Sequence, residues 1–318
     1  MTSHTNNKAP QKSPMKNWEK KATVRNSPNR YSLSEDIEIE LQSKSWFLES
    51  ALPWLSHPAI RAGGKELTHN ILARYLIFFL EYTTTLEHKI VNPAVEVIAH
   101  DELALAVPPT LSKAAFQLYV DEGYHALVAA SLADEVSRYY GFRRNQLLIQ
   151  RIERLQNQIS LNVERSKLAS FIAGFVSETS ITKELLNFTS RQLVTPSYHM
   201  LHDHLIDELQ HSIYFSSAFH FAWNRFDESA KTFVSDLLLN LISEFFRLDD
   251  VWLIQTLVDV GISTQVAVGI QAALQTKDAC IARLRSGASG TVDALMKTDF
   301  FDYKNNSSFF RKAGIING

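Results

Sequence analysis

Two copies of the motif Asp-Glu-X-X-His occur in this chain, at residues 121–125 and 207–211, and both contain residue types that bind metal ions. The surrounding sequence predicts a helix at each copy. Because residues three apart lie on the same face of a helix, each motif should direct one carboxylate and one imidazole to the same side. Two such motifs, with one further glutamate from each of two other helices, form the ligand pattern of a carboxylate-bridged di-iron bundle.

Two further glutamates occupy suitable positions on other predicted helices. Glu87 interrupts a nearly apolar helical row, and Glu178 interrupts a second one. An apolar row at helical spacing is the side of a helix that faces the core, so both carboxylates should point inward. The competing glutamates, Glu81 and Glu184, fit these rows less well.

Inward carboxylates on four helices need a common positive partner. A buried carboxylate without a partner costs several kcal/mol or becomes neutral through a shift of its pKa. Together the four glutamates carry four negative charges, which two ferrous ions would balance. The sequence therefore predicts a buried pair of metal ions near Glu87, Glu122, Glu178 and Glu208.

The candidate ligands favour iron. Mixed imidazole and carboxylate donors suit Fe and Mn, whereas structural Zn prefers Cys and His. The single cysteine, Cys280, excludes a thiolate cluster, and manganese stays open at this point. Asp121 and Asp207 directly precede the ligand glutamates, and we expect each to accept a hydrogen bond from a metal-bound histidine.

A third histidine, His204, shares a helix face with the second motif. It lies four residues before Glu208 and seven before His211, so the three side chains point to the same side. A di-iron bundle needs only two histidines. A third would give one iron a more nitrogen-rich set of ligands.

The rest of the pattern predicts an all-α protein. No segment shows the strict alternation of a half-buried strand over any length. These features predict a ferritin-like helical bundle with extra N- and C-terminal helices, in a single domain over residues 33–318. We predict helices at about 34–48, 66–100 with a kink or break at Pro93, 110–140, 144–187 with a break near Asn162, and 197–224, followed by three or four shorter helices between 228 and 297.

Residues 1–32 and the overall composition bear on the cellular location of the protein. This segment holds seven Lys or Arg, one acid and few apolar residues, which predicts a disordered basic tail. The whole chain of 318 residues has a net charge of −2, so no global field favours nucleic acid or a membrane surface. One cysteine suits a reducing cytosol, and no apolar run is long enough for a membrane span. We therefore expect a cytoplasmic protein that binds neither nucleic acid nor membranes.

The order of the candidate ligands resembles that of the p-aminobenzoate N-oxygenase family of ferritin-like di-iron enzymes. Glu87 lies 34 residues before Asp121, Glu178 follows the first motif, and residues 204–211 match the HXXXEXXH pattern of the family's last ligand helix. The resemblance covers roughly residues 40–220. It implies seven metal ligands, four glutamates and three histidines: Glu87, Glu122, His125, Glu178, His204, Glu208 and His211.

The resemblance also implies a reaction, the O2-dependent oxidation of a primary amine, aryl or alkyl. A diferrous cluster would bind O2 to give a peroxo-diferric species, which transfers oxygen to the amine nitrogen and yields a hydroxylamine and then a nitroso or nitro group. Carried over by position, Glu122 and Glu208 would bridge two Fe ions. One iron would be bound by Glu87 and His125, and the other by Glu178, His204 and His211.

Other functions use the same bundle. A hydroxylase, a desaturase or an oxidative-cleavage enzyme would share most of these ligands. A ferritin-like iron store is usually much shorter, and a small subunit of ribonucleotide reductase would need a radical-bearing tyrosine near the irons. Because no glycine-rich nucleotide motif is present, we expect electrons from an external ferredoxin or reductase. Homodimers are common among such bundles.

Overall fold

A computed structural model describes residues 13–26, 30–142 and 150–317. Within these ranges the protein is helical, and the only β-type pairing is an isolated bridge between Ser45 and Leu193. The α-helices, numbered in chain order, are α1 (Trp18–Lys21), α2 (Thr23–Asn26), α3 (Ile37–Glu40), α4 (Pro58–Arg61), α5 (Gly64–Leu86), α6 (Asn92–Ala99), α7 (Pro109–Tyr140), α8 (Gln150–Ser160), α9 (Ser166–Phe188), α10 (Thr195–Trp223), α11 (Glu228–Phe245), α12 (Asp250–Asp259), α13 (Thr264–Leu274), α14 (Lys277–Gly287), α15 (Ser289–Leu295) and α16 (Asn306–Lys312).

Four long helical segments form a bundle: α5 with its continuation into α6, α7, α9 and α10. The first of these packs against α7 and α9, and α10 packs against the same two helices from the other side. The C-terminal helices α11 and α15 pack on α9, and α12 packs on α5. The predicted all-α, ferritin-like bundle with extra terminal helices is therefore confirmed.

The buried apolar side chains of the bundle form two clusters, with a polar level between them. On α7, Leu118 belongs to one cluster and Ala129 to the other. On α10, Tyr214 belongs to the same cluster as Leu118, and Leu205 belongs to the same cluster as Ala129. Burial of apolar surface contributes roughly 25 cal/mol per Å² to stability. The two clusters thus hold the helices together above and below the level at which inward polar residues occur.

A π-helical segment, Glu87–Val91, joins α5 to α6. Pro93, near the start of α6, has no N–H to donate to a carbonyl one turn earlier. The wider π turn accommodates this missing bond, and Ile90 within it stays fully buried. The predicted interruption near Pro93 is therefore present, and it takes the form of a π turn that begins at Glu87.

Two predictions about peripheral helices are wrong. The helix expected over residues 34–48 is limited to α3, because the backbone of Ser45 bonds instead with Gln192 and Val194, ahead of α10. Between residues 228 and 297 there are five helices, α11–α15, rather than three or four. The start of the block predicted from residue 144 lies outside the described residues, which resume with α8 at Gln150.

The predicted disordered tail is also wrong for the part of it that the structure describes. Residues 13–26 form α1 and α2, and Met15 and Ala22 are buried against the bundle, as is Tyr31 further along. The segment buries few apolar groups, but it also bonds to buried carboxylates of α7 and α10, which compensates for its polar composition. Residues 1–12 and 27–29 lie outside the described ranges.

In the described ranges, no helix combines the length and the apolar character that a transmembrane segment requires.

Candidate metal centre

All seven candidate ligands lie at the polar level of the bundle and are buried. Glu87 opens the π turn after α5, α7 carries the first motif, α9 carries Glu178, and α10 carries the second motif with His204. Each of these side chains faces the interior because the buried apolar residues before and after it on the same helix face the core. Exposed fractions are 3% for Glu87, 0% for Glu122, 1% for His125, 2% for Glu178, 3% for His204, 1% for Glu208 and 0% for His211.

One group of four residues combines both motifs. It consists of Glu122, His125, Glu208 and His211, whose nearest donor atoms all lie within 4.8 Å of one another. Nδ1 of His211 lies 2.8 Å from Oε1 of Glu122 and 3.2 Å from Oε1 of Glu208. Nδ1 of His125 lies 3.5 Å from the same Glu208 oxygen. These atoms can hold a metal ion without a change of fold.

A second group consists of Glu87, His125 and His204. Nε2 of His204 lies 3.3 Å from Oε1 of Glu87 and 3.0 Å from Oε1 of Glu208. The ring centroids of His125 and His204 are 4.2 Å apart. His204 therefore lies beside Glu87 and His125. Its assignment to the same iron as Glu178 and His211, which the resemblance implies, stays a prediction. One helical turn separates His204 from Glu208, and His204 lies beside Glu87 in the π turn that follows α5.

Glu178 completes the cluster on the side of His211. Its Oε2 atom lies 3.6 Å from Nδ1 of His211, although Glu178 belongs to neither group of closely spaced donor atoms. The competing glutamate on the same helix, Glu184, lines a separate cavity. The structure thus brings Glu178 to the cluster rather than Glu184, and Glu87 rather than Glu81.

The two aspartates that precede the ligand glutamates bond to histidines of the opposite motif. Asp121 accepts from Nε2 of His211 at 3.2 Å, and Asp207 accepts from Nε2 of His125 at 3.0 Å. These bonds place a proton on Nε2 of each ring and turn Nδ1 toward the glutamates, where it can bind a metal ion. Both aspartates therefore accept hydrogen bonds from histidines that are candidate metal ligands.

Burial alone shifts the pKa values of the glutamates and of the histidines in this cluster in opposite directions. Burial, and the negative charge of neighbouring glutamates, raises the pKa of Glu87 and of Glu178 well above the usual range. Burial opposes the charged form of His125 and His211, but the carboxylates around them outweigh it and raise the pKa of both. The cluster therefore attracts positive charge, which protons or metal ions can supply.

His204 differs from the other two histidines. Burial, with the positive charge of His125 beside it, lowers the pKa of His204 to about 3. A neutral imidazole is the form that binds a metal ion. His204 is therefore ready to act as a ligand at neutral pH.

The buried donors fit a pair of metal ions. Within the described chain, both carboxylate oxygens of Glu87 and of Glu122 and Nδ1 of His125 are buried without a hydrogen-bond partner. Unpaired buried polar atoms are rare in folded proteins, and here Nδ1 of His125 lies 3.9 Å from Glu87 and 3.8 Å from Glu122. Donor atoms that face one another without bonding are the arrangement that a shared cation would stabilise. Cys280, on α14, takes no part.

Two residues near this site were missed by sequence reasoning. Trp18 donates its indole N–H to Asp121, and Thr23 bonds to Asp207 through its backbone N–H and its hydroxyl. A signal was present, because Met15, Trp18 and Ala22 have the spacing of one helix face. It was hidden by the basic composition of the segment.

Comparison with known protein families gives a long match. The model of the family described as p-aminobenzoate N-oxygenase AurF matches residues 7–298. The match extends well beyond residues 40–220, for which the motifs indicated a resemblance, and includes α11–α15 and the N-terminal helices. A search of curated proteins gave no match.

Proposed function

This chain belongs to the p-aminobenzoate N-oxygenase family, and from this premise we propose that it is an O2-dependent N-oxygenase with two iron ions, which oxidises a primary amine to a hydroxylamine and then to a nitroso or nitro compound. The observation that carries the proposal is the convergence of seven buried side chains, four glutamates and three histidines, from all four helices of the bundle. A surface role for the two motifs would leave these residues exposed.

The seven side chains would bind the two ions at two adjacent sites. His125, His204 and Glu87 would serve one ion, and His211 and Glu178 would serve the other. Glu122 and Glu208 lie between these sets, since each approaches both His125 and His211. They would bridge the ions. When bound, the iron pair would supply the activation of O2.

The protein itself contributes orientation and the exclusion of water. Asp121 and Asp207 hold the Nε2 protons of His211 and His125, so that neither ring can turn away from the glutamates. Oxidation of the amine to the hydroxylamine would consume one O2, two electrons and two protons and release one water. We propose that the electrons come from an external ferredoxin or reductase.

We propose that the amine reaches the cluster from a cavity of about 630 Å³, whose lining includes none of the seven candidate ligands. This volume lies in the range of small-molecule sites. Tyr82, five residues before Glu87, and Glu184, six residues after Glu178, both line it. At 1.5 Å per residue, the cavity therefore begins within about 10 Å of the ligands along two helices.

The walls of this cavity suit an apolar or aromatic amine. Phe78 and Trp252 stack with their ring centroids 4.5 Å apart, and Tyr75 meets Trp252 edge to face. At one end, Arg151 bonds Asp249 at 3.0 Å and lies over the ring of Tyr82. This end supplies the few polar groups that orient a ligand in such sites.

The proposal is tested by iron quantitation followed by turnover. We expect about two irons per chain, as in other di-iron bundles, and amine products with ¹⁸O in an N–O bond when the reduced protein meets ¹⁸O2. His211→Gln should abolish the product, whereas His220→Gln, an exposed position on the same helix, should not. Oxygen found on carbon would indicate a hydroxylase, and large iron-to-protein ratios in a shell-like assembly would indicate storage.

The binding site of the amine is tested in a separate experiment. Phe78→Ala and Trp252→Ala should raise KM for the best amine about tenfold, which corresponds to the loss of ~1.4 kcal/mol of apolar contact. Phe309→Ala, which truncates an exposed ring on α16, serves as the control. Unchanged KM in both cavity variants would place the substrate elsewhere.

A further inference from the structure

We propose that the N-terminal segment, residues 13–26, is a positioning element of the metal centre. In this role, Trp18 and Thr23 fix the carboxylates of Asp121 and Asp207, which in turn fix the imidazoles of His211 and His125. The inference rests on the proposed function to the extent that these two histidines bind metal. It assigns a task to a part of the chain whose composition alone indicates a solvated tail.

The first chain of bonds runs from Trp18. Its indole Nε1 donates to both oxygens of Asp121, at 2.9 and 2.8 Å. A donor shared by two oxygens holds the plane of the carboxylate, and Asp121 is only 1% exposed. Oδ2 of the same carboxylate accepts from Nε2 of His211 at 3.2 Å. The orientation of Trp18 is thus passed to a ring whose Nδ1 faces Glu122 and Glu208.

The second chain runs from Thr23 and mirrors the first. The backbone N–H of Thr23 lies 3.3 and 3.2 Å from the two oxygens of Asp207, and the Thr23 hydroxyl donates to Oδ2. That oxygen also accepts from Nε2 of His125 at 3.0 Å. One short segment therefore supplies the outer donor for the second aspartate as well, so both motifs depend on it.

The segment is seated firmly enough for this task. Met15, Ala22 and Thr23 are buried, and α2 packs against both α7 and α10, the helices that carry the two motifs. Without it, the outer oxygens of both aspartates would meet water, which bonds in many orientations. Fixed donors in a dry setting hold a hydrogen-bonded network more strictly.

A third contact from the same end of the chain reaches the helix of His204. Arg30 and Tyr31 both bond to Asp203, at 2.6 and 3.0 Å. Asp203 directly precedes His204. The N-terminal region therefore bonds to three aspartates, of which two bond to candidate histidines and the third directly precedes one.

Two variants, Trp18→Phe and Thr23→Val, test the inference through metal binding rather than turnover. Cobalt(II) serves as the probe, its dissociation constant is measured by competition with a chelator, and its visible spectrum reports ligand geometry. We expect each variant to weaken cobalt binding by about 10- to 100-fold, the usual effect of disturbing a group that supports a ligand, and to change the spectrum. Thr23→Ser, which keeps the hydroxyl, should restore both.

Trp223→Phe is the matched control. It also removes an indole bond to a carboxylate, that of Trp223 to Asp299 at 2.6 Å, but at a place remote from the cluster. It should lower thermal stability and leave cobalt affinity and spectrum as in the wild type. If Trp18→Phe and Thr23→Val bind cobalt like the wild type, or if Trp223→Phe weakens binding equally, the positioning role is wrong. If the wild-type protein binds no cobalt or iron, the proposed function fails as well.

Discussion

Asp121 accepts a hydrogen bond from His211, at 3.2 Å, and not from the histidine of its own motif. Asp207 makes the reciprocal bond to His125 at 3.0 Å. Each motif therefore contains a carboxylate that supports the other motif's imidazole. This exchange joins α7 to α10 at the polar level, and it means that neither motif forms a complete half-site alone.

A double-mutant cycle tests this exchange. Asp121→Asn should weaken cobalt binding about 10- to 100-fold, since the amide supports the imidazole less strongly than a carboxylate does. Added to His211→Gln it should cost little more, whereas added to His125→Gln its effect should persist, because only coupled residues depart from additivity. Chelator competition supplies the dissociation constants, and Asp134→Asn, an exposed position on α7, is the control. Equal coupling to both histidines would contradict the exchange.

Replacement of His204 should affect one metal place more than the other. His204 contacts Glu87 and Glu208 but lies in the group with His125. His204→Gln should reduce tightly bound cobalt from about two ions per chain to about one, the other ion keeping its own ligands. Equilibrium dialysis with metal analysis measures the ratio, and His220→Gln should keep both ions. Loss of both ions together would show that the two metal sites do not bind their ions independently.

Gly174 allows a close approach of three helical segments in the bundle. A Cβ at this position would lie 2.4 Å from Cβ of Ala94 and 3.1 Å from a ring carbon of Phe215. Gly174→Ala should therefore lower the free energy of unfolding by about 1–3 kcal/mol, the usual cost of overpacking a core. Urea denaturation measures the change.

Gly269, within α13, is the matched control for Gly174. A Cβ there would meet nothing within 4 Å. Because alanine is the better helix former, Gly269→Ala should raise the free energy of unfolding by up to ~1 kcal/mol. A similar loss of stability in both variants would show that packing at Gly174 is not the cause.

Glu40 should make the start of α10 sensitive to acid. Burial opposes its charge, but bonds from the backbone N–H and hydroxyl of Thr195, at 2.7 and 2.9 Å, and from Lys44 outweigh burial and lower the pKa of Glu40. A lowered pKa means that the carboxylate stabilises the fold above the ordinary pKa of a glutamate. This contribution is lost as the pH falls through the lowered value.

Glu40→Gln should therefore lower the free energy of unfolding by about 1 kcal/mol near neutral pH, the usual value of a helix cap. The difference from the wild type should shrink as the pH falls toward and below the folded pKa of Glu40. Urea denaturation across this range measures it, and Glu38→Gln, at an exposed neighbouring position, is the control. A difference that stays constant with pH would contradict the role assigned to the charge.

Local spacing was enough to determine the fold class and the identity of the clustered residues. Helical periodicity predicted α7 and α10 almost to their ends, because the burial of an apolar row and the proline at each start are local features. The same periodicity placed Glu87 and Glu178 on inward faces, since a carboxylate in such a row has few other ways to point. Glu81 and Glu184 could be set aside for the same reason.

Contacts between helices were decided only by the tertiary structure. Whether His204 lies with Glu87 or with Glu178, and whether Asp121 supports His125 or His211, depends on how α5, α7 and α10 are rotated and offset against one another. The places of Trp18 and Thr23 depend on a chain that returns to the bundle across about 100 and 180 residues of sequence. Side-chain spacing describes neighbours on one helix, whereas these pairings arise from the packing of separate helices into one interior.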